Sequence, residues 1–122
     1  MSDNIEFGQK GEASAAKFLV NNGYEILDLN WRYKHLEADI IALDPKTKEL
    51  VVVEVKARRS NLLGEPEEWV GKAKQKNLVQ LAGHYLEAKN LDLEVRFDII
   101  SIVSNGKQQK INHIKDAFYP LL

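Results

Sequence analysis

A run of β-branched residues near the middle of the chain restricts the possible folds more than any other feature. Leu50 is followed by Val51, Val52 and Val53, and the whole segment Glu49–Ala57 predicts a β-strand. Because consecutive strand residues point to opposite faces, a run that is apolar at every position must be covered on both sides. The segment is therefore typical of a strand inside a sheet that packs between helices.

The remaining patterns predict two helices and four more strands. Apolar and small residues recur at helical spacing in Asn4–Asn22 and in Val70–Lys89. The other predicted strands are Tyr24–Tyr33, Glu37–Leu43, Val95–Val103 and Lys110–Ile114. The polar stretch from Arg58 to Glu68 is predicted as a loop. The second helix crosses between the third and fourth strands, which lets those two strands run parallel, whereas short turns make the other neighbours antiparallel. We therefore expect an α/β fold with a mixed central sheet of about five strands flanked by helices, in the order α-β-β-β-α-β-β.

The composition is that of an ordinary globular domain. The 122 residues are 44% hydrophobic and 29% charged, without an internal repeat or a linker-like tract, so we expect a single domain over residues 1–122. No apolar run approaches the roughly 20 residues of a membrane-spanning helix, so we expect no membrane partner. The polar start Met1–Asn4 lacks the pattern of a signal peptide, which favours a cytoplasmic location. The absence of cysteine excludes disulfides and thiolate chemistry.

Positive charge is concentrated in one stretch of the sequence. The chain has 17 Lys and Arg and 18 Asp and Glu, a net charge of −1, but residues 56–76 hold six basic residues and three acidic ones. Such a patch can face phosphate groups, and we predict that it contacts nucleic acid. The predicted contact residues are Arg58, Arg59, Lys72, Lys74 and Lys76. A solvated loop and helix surface is the alternative interpretation.

Charged side chains interrupt two of the apolar strands. Glu54 and Lys56 are two residues apart and therefore point to the same face of the third strand. Asp39 lies in the preceding apolar strand, and the short turn between the two strands lets Asp39 and Glu54 lie side by side. Two close carboxylates repel each other unless a cation neutralises them, and Mg²⁺ prefers such oxygen ligands. The ammonium group of Lys56 could then orient or activate an attacking water. A salt-bridge network across the two strands is the structural alternative.

Other polar residues lie beside this candidate site or elsewhere in the predicted elements. Glu12 follows two glycines in the first helix, where small residues permit close approach to the sheet. Lys74 and Gln75 open the second helix and could contact a phosphate or hold a metal-bound water. A surface glutamate and solvent-facing helix residues are the structural alternatives for these three. Arg96 and Asp98 flank Phe97 on one face of the fourth strand and predict an internal ion pair.

A series of short segments, in a specific order and spacing, resembles a known family over nearly the whole chain. These segments are Gly8–Glu12, Gly23–Leu27, Asn30–Arg32, Glu37–Ala42, Val51–Arg58, Lys74–Gln75, Arg96–Ile100 and His113–Ile114. With them the chain resembles the PD-(D/E)xK nuclease superfamily, which has the restriction-endonuclease-like fold. More closely, it resembles the small bacterial YraN-like family of predicted endonucleases, which is similar to archaeal Holliday-junction resolvases.

The resemblance implies roles for particular residues. The implied metal ligands are Asp39, Glu54 and the backbone carbonyl of Val55. The implied catalytic residues are Glu12 from the first helix, Asp39, Glu54, the catalytic lysine Lys56, and Gln75 from the second helix. Two positions depart from the family pattern, because Leu36 stands where the family usually has Gly and Ala38 stands at the signature proline. Neither departure removes a charged participant.

The expected function is that of a Mg²⁺- or Mn²⁺-dependent endonuclease that hydrolyses DNA phosphodiester bonds, with branched or recombination intermediates as candidate substrates. The resemblance also implies a 5′-phosphate product. An enzyme that resolves a four-way junction needs two active sites, which makes a homodimer a candidate assembly. One alternative is a nuclease-fold module that binds nucleic acid without turnover, recognisable by salt-sensitive binding that is indifferent to metal. A second alternative is a scaffold protein in which the carboxylates are only structural.

Overall fold

The computed structural model describes residues 2–59 and 70–118. The elements are α1 (Ser2–Asn21), β1 (Glu25–Tyr33), β2 (Leu36–Leu43), β3 (Leu50–Arg58), α2 (Lys72–Lys89), β4 (Val95–Asn105) and β5 (Gln108–Ile114). Their order confirms the expected α-β-β-β-α-β-β arrangement. Among the described residues, no helix combines the length and the apolar character that a membrane crossing requires.

Most predicted boundaries differ from the observed ones by one or two residues. The helix stop after α1 is confirmed at Gly23, whose φ of +89° suits a residue without a Cβ. α2 begins at Lys72 rather than Val70, because Gly71 has an extended backbone with φ −71° and ψ 169°. Arg58 belongs to β3, so the prediction that it starts a loop is wrong. Residues 60–69, which contain most of that predicted loop, lie outside the described residues.

The five strands form one mixed sheet in the order β1-β2-β3-β4-β5. β3 and β4 are parallel, with paired residues from Leu50–Val95 to Arg58–Val103, and the other neighbouring pairs are antiparallel. α2 lies in the connection between the two parallel strands, as a crossover connection requires. The mixed α/β sheet flanked by two helices is therefore confirmed.

Each face of the sheet buries its own apolar cluster against one helix. The α2-side cluster consists of Leu36, Ala38, Ile41, Leu50, Val52, Leu78, Leu81, Ala82, Tyr85 and Phe97. The α1-side cluster consists of Ala15, Leu19, Tyr24, Ile40, Ala42, Val51, Val53, Ile100 and Ile102. Consecutive residues of β3 alternate between the two clusters, and this explains why the strand is apolar at every position from Leu50 to Val53.

α1 packs directly against β3 because of a glycine. A Cβ built on Gly11 would lie 2.6 Å from the Cβ of Ala57, a distance that real side chains do not tolerate. The helix backbone therefore rests on the sheet at this point. The next residue along α1, Glu12, is carried with it towards the end of β3.

A buried network of charged groups joins β4 to its surroundings. Arg96 donates two hydrogen bonds to Asp98, of 2.9 Å each, so the predicted ion pair is confirmed. The same guanidinium donates to Asp44 Oδ2 at 2.8 Å and to the hydroxyl of Tyr24 at 2.8 Å. His113 Nε2 on β5 lies 2.7 Å from Asp98 Oδ2. The network thus connects the β2–β3 turn with β4 and β5, which stabilises the charges despite their burial.

Candidate metal centre

Asp39 lies where β2 and β3 separate. The paired residues of these two strands run from Leu43–Leu50 to Ile40–Val53. Beyond that pair, Asp39 Oδ2 accepts a hydrogen bond of 2.8 Å from the backbone N–H of Val55. A side-chain carboxylate therefore takes the place of a backbone carbonyl from β2. This bond holds Asp39 beside β3 and leaves a gap between the two strands.

The backbone around Asp39 is distorted in both β1 and β2. Ala38 belongs to the α2-side cluster and Ile40 to the α1-side cluster, although residues two apart in a regular strand share a face. The paired residues of β1 on either side, Leu29–Ile40 and Trp31–Ala38, place Asn30 opposite Asp39. Asn30 has a φ of +51°, in the left-handed region that asparagine tolerates better than most residues. The asparagine at position 30 is a sequence feature that could have indicated this distortion, which the alternation of apolar residues does not reveal.

The carboxyl groups of Asp39 and Glu54 face each other, as the sequence predicts for neighbouring strands. Burial and the adjacent Glu54 carboxylate raise the pKa of Asp39 to about 8, and the charge of Glu12 acts in the same direction. The hydrogen bond from Val55 N–H opposes this shift, because it favours the ionised carboxylate. The structure therefore brings Glu12, Asp39 and Glu54 into one electrostatic group, and their mutual repulsion would be relieved by a cation.

Glu54 is the most buried acid of this group, with 4% of its surface exposed. Its Oε2 atom is buried without a hydrogen-bond partner among the described residues. Lys74 of α2 places its Nζ 3.2 Å from that oxygen, so charge is partly balanced across the gap between helix and sheet. Lys74 lies four residues before Leu78 and therefore continues the buried stripe of α2 by one turn. From that spacing, the sequence could have predicted that Lys74 faces the sheet and pairs with Glu54.

Lys56 lies two residues beyond Glu54 on β3, opposite Ser101 of β4. Its side chain is half-buried. Within residues 2–59 and 70–118 it takes part in none of the ion pairs, so its ammonium group is not assigned to a structural carboxylate. An amine in this position, beside two paired acids, suits the catalytic role that the resemblance implies for it.

The other predicted residues are distributed around this group. Gln75 donates a hydrogen bond of 2.9 Å from Nε2 to the carbonyl of Val70, which fixes the entry into α2. Lys72 and Lys76 are exposed on α2, on the side away from Lys74. At the end of β3, Arg58 is half-buried and Arg59 is exposed. The basic stretch is thus divided, with Lys74 on Glu54, Arg58 and Arg59 at the end of β3, and Lys72 and Lys76 on the opposite side of α2.

The donor atoms fit a hard divalent cation better than a transition metal. Two carboxylates face each other, and Lys74 forms an ion pair with only one of them. Such oxygens, completed by water and a substrate phosphate, are the ligand set that Mg²⁺ prefers. Among the described residues, no three His, Asp or Glu side chains form a metal-binding group by themselves. Any ion held here would therefore keep several positions for water or substrate.

Comparison with other proteins identifies the family. The family model described as "Uncharacterised protein family UPF0102" matches residues 11–102, which include Glu12, Asp39, Glu54 and Lys56. A UPF0102 protein of Bacteroides thetaiotaomicron is 43% identical over 122 residues, covering 100% of this chain and 99% of that protein. A UPF0102 protein of Christiangramia forsetii is 44% identical over 119 residues, covering 98% of each chain. A UPF0102 protein of Chlorobium chlorochromatii is 43% identical, covering 97% of this chain and 95% of its own. Because the similarity extends over essentially the full length of both partners, the chain belongs to the uncharacterised family UPF0102, the YraN-like family that its motifs resemble.

Proposed function

We propose that this protein is a metal-dependent nuclease of the PD-(D/E)xK superfamily that hydrolyses phosphodiester bonds of DNA, including branched or recombination intermediates. The observation that carries the proposal is the pair of facing carboxylates, Asp39 and Glu54, in the gap between β2 and β3. Glu54 is only 4% exposed, its ion-pair partner Lys74 lies on α2, and the amine of Lys56 follows two residues later on β3. Lys74 balances only part of the negative charge of this group, and Lys56 takes part in none of the ion pairs among the described residues, which supports a cation site over a closed salt-bridge network.

The proposed roles combine the positions of the side chains with the roles that the family resemblance implies. Asp39, Glu54 and the carbonyl of Val55 would hold Mg²⁺ or Mn²⁺. When bound, such an ion supplies a Lewis acid that stabilises charge on a phosphoryl group and lowers the pKa of a bound water. Lys56 stabilises the negative charge that develops on the phosphoryl oxygens and orients the attacking water. Water adds to phosphorus and loses a proton to solvent, the bond from phosphorus to the 3′ oxygen breaks, and that oxygen takes up a proton to become a hydroxyl. The product then keeps the 5′-phosphate that the resemblance implies.

The basic residues around the site would hold the substrate. Arg58 and Arg59 continue β3 beyond Lys56, and Lys72 and Lys76 lie on the first turns of α2. Cations at these positions contact phosphate oxygens without reading the base sequence. This arrangement supports recognition of DNA by its backbone rather than by its sequence.

The test is a cleavage assay on the purified chain. Linear, flapped and four-way DNA are incubated with Mg²⁺ or Mn²⁺, beside matched reactions that contain a chelator. We expect metal-dependent cutting that falls roughly a hundredfold or more in Asp39→Asn and in Lys56→Ala. The control variants Asp92→Asn and Lys115→Ala remove an exposed acid and an exposed base, and we expect them to cut like the wild type.

Two results would contradict the proposal. Cutting that survives both Asp39→Asn and Lys56→Ala would come from a contaminating nuclease. DNA binding without any cutting under either metal would instead establish the binding module without turnover.

A further inference from the structure

A groove of about 400 Å³ opens on the α1 side of the sheet, next to the end of β3. One wall is the first half of α1, at Lys10 and Gly11, and the other is the turn between β4 and β5. Arg59 stands at the end of β3 between these walls, and Ala57 and Ile102 contribute the apolar floor. None of the predicted site residues other than Arg59 lines it.

The groove follows from two features of the fold. The contact between Gly11 and Ala57 seats the helix backbone on the sheet, and the neighbouring Lys10 lines the groove beside this floor. β4 continues to Asn105, beyond Val103, which is its last residue paired with β3. The β4–β5 hairpin therefore projects past β3 and forms the second wall.

The lining is positively charged and rich in neutral hydrogen-bonding groups. Lys10 and Arg59 are both exposed cations, and Ser104, Asn105 and Gln109 supply a hydroxyl and two amides. No carboxylate is among the lining residues that the structure describes. A ligand with regularly spaced negative charges and an uncharged remainder would match such a surface.

The groove adjoins the candidate metal centre along two elements. Arg59 is three residues after Lys56 on the same chain segment, which is roughly 10 Å in extended backbone. Gly11 immediately precedes Glu12, whose charge acts on Asp39. Because Ala57 faces α1 whereas Glu54 lies beside Lys74 of α2, a strand bound at the metal centre would reach the groove around the end of β3.

We propose that this groove binds the phosphodiester backbone of a DNA strand adjacent to the phosphate held at the metal centre. The proposal rests on the proposed nuclease function for the direction of the strand, but the binding itself does not require catalysis. Lys10 contacts a phosphate from α1, Arg59 contacts one from β3, and Gln109 and Asn105 donate hydrogen bonds from the hairpin. The groove thereby fixes the path of the substrate on the side of the sheet opposite α2.

The experiment measures DNA binding under conditions in which a chelator prevents metal-dependent cleavage. The full chain is titrated against a fluorescein-labelled four-way DNA and a labelled duplex in the presence of a chelator, and the dissociation constant follows from anisotropy at several salt concentrations. Lys10→Gln removes one cation from the groove, and Lys17→Gln removes one exposed cation seven residues further along α1, outside the groove. Gln109→Glu adds a carboxylate to the groove, and Gln108→Glu adds one next to it on β5 but outside the lining.

We expect Lys10→Gln to weaken binding about threefold to tenfold and to lower the slope of log affinity against log salt by about one. We expect Gln109→Glu to weaken binding at least about fivefold, because a carboxylate repels a phosphate at close range. Lys17→Gln and Gln108→Glu should stay within about twofold of the wild type. All four side chains are exposed, so matching thermal melting curves would show that the variants fold alike.

The outcomes separate this proposal from the nuclease function. The groove proposal would be contradicted if the groove variants and their controls changed the affinity for DNA equally. It would also be contradicted if the wild-type chain did not bind DNA at low salt. Selective loss of binding in the groove variants supports it even if the wild-type protein never cuts DNA. If the wild-type protein cuts DNA and the groove variants bind DNA as tightly as the wild type, the nuclease proposal would stand and the groove proposal would be refuted. The groove proposal would also be refuted if inorganic polyphosphate bound more strongly than DNA and were weakened equally by the groove variants. That result would indicate a general polyanion site.

Discussion

Gly11 shows how one missing side chain positions a functional helix. Gly11→Ala would place a Cβ 2.6 Å from that of Ala57, and neither atom can rotate away. We expect the variant to lose about 1–3 kcal/mol of unfolding free energy in urea titrations, since overpacking displaces the helix. The displacement also moves Glu12, so DNA cutting should fall. Ala57→Gly in the same chain removes the opposing methyl group and should restore much of the loss.

A second glycine supplies the matched control at the residue scale. A Cβ added to Gly83, in the middle of α2, meets no atom of the described residues within 4 Å. Gly83→Ala should therefore raise the unfolding free energy by about 0.5–1 kcal/mol, because glycine is a poor helix former. If Gly11→Ala also stabilised the protein, the close packing of α1 on β3 would be wrong.

At the scale of elements, α2 and β3 are joined through Lys74 and Glu54. Lys74→Met removes the ammonium that lies 3.2 Å from Glu54 and leaves Glu54 without this ion-pair partner. Because Lys74 is partly exposed, we expect a loss of only about 1–2 kcal/mol without divalent metal. Added Mn²⁺ or Mg²⁺ should then raise the melting temperature more in Lys74→Met than in the wild type, since a ligand of the folded state stabilises it.

The control for this prediction is Lys76→Met, which removes an exposed cation from the other side of α2. We expect it to melt like the wild type and to respond to metal like the wild type. Equal metal responses in Lys74→Met, Lys76→Met and the wild type would mean that no divalent ion approaches Glu54.

Some features of the helices and strands at the candidate site could be predicted from the sequence, and others could not. The alternation of β3 predicts that Glu54 and Lys56 share a face, because period two holds in a regular strand. The distortion at Asn30 and Asp39 escapes it, since a left-handed residue in one strand changes the faces of its neighbour. The contact of Lys74 with Glu54 depends on where α2 docks, and docking depends on the packing of Leu78 and Tyr85 rather than on local pattern.

At the scale of the whole molecule, the network around Arg96 sets the response to acid. Burial would raise the pKa of Asp98, but hydrogen bonds from His113 and Arg96 outweigh it and lower that pKa below the ordinary value of about 4. Asp98 therefore stabilises the folded state above about pH 4, and its contribution disappears as the pH falls below that value.

Removing this carboxylate tests the network. At pH 7, Asp98→Asn should lose about 3 kcal/mol of unfolding free energy, since Arg96 is left buried without its main partner. The difference from the wild type should shrink at pH 3, since the stabilising contribution of the ionised carboxylate declines as the pH falls below about 4. Asp92→Asn, at an exposed position, should stay within about 0.5 kcal/mol at both pH values in the same urea titrations. A constant difference for Asp98→Asn would show that its charge does not carry the effect.

The overall architecture was predictable because its signals are periodic and local. The apolar run at Val51–Val53, the left-handed Gly23 and the crossover helix together determine a mixed sheet between two helices. The groove beside Lys10 was not predictable, because its walls come from α1 and from the β4–β5 hairpin, which are about 90 residues apart in sequence. Only the assembled sheet brings them together.

The separation of β2 from β3 also provides an internal reporter. The amide proton of Val55 is bound by the Asp39 carboxylate rather than by a neighbouring strand. Its nuclear magnetic resonance frequency should therefore move whenever that carboxylate is protonated or shared with another ligand, while the resonances of Val51–Val53 remain fixed. A single labelled valine amide can thus be followed as an observer of events at the acidic pair, without any substrate or turnover.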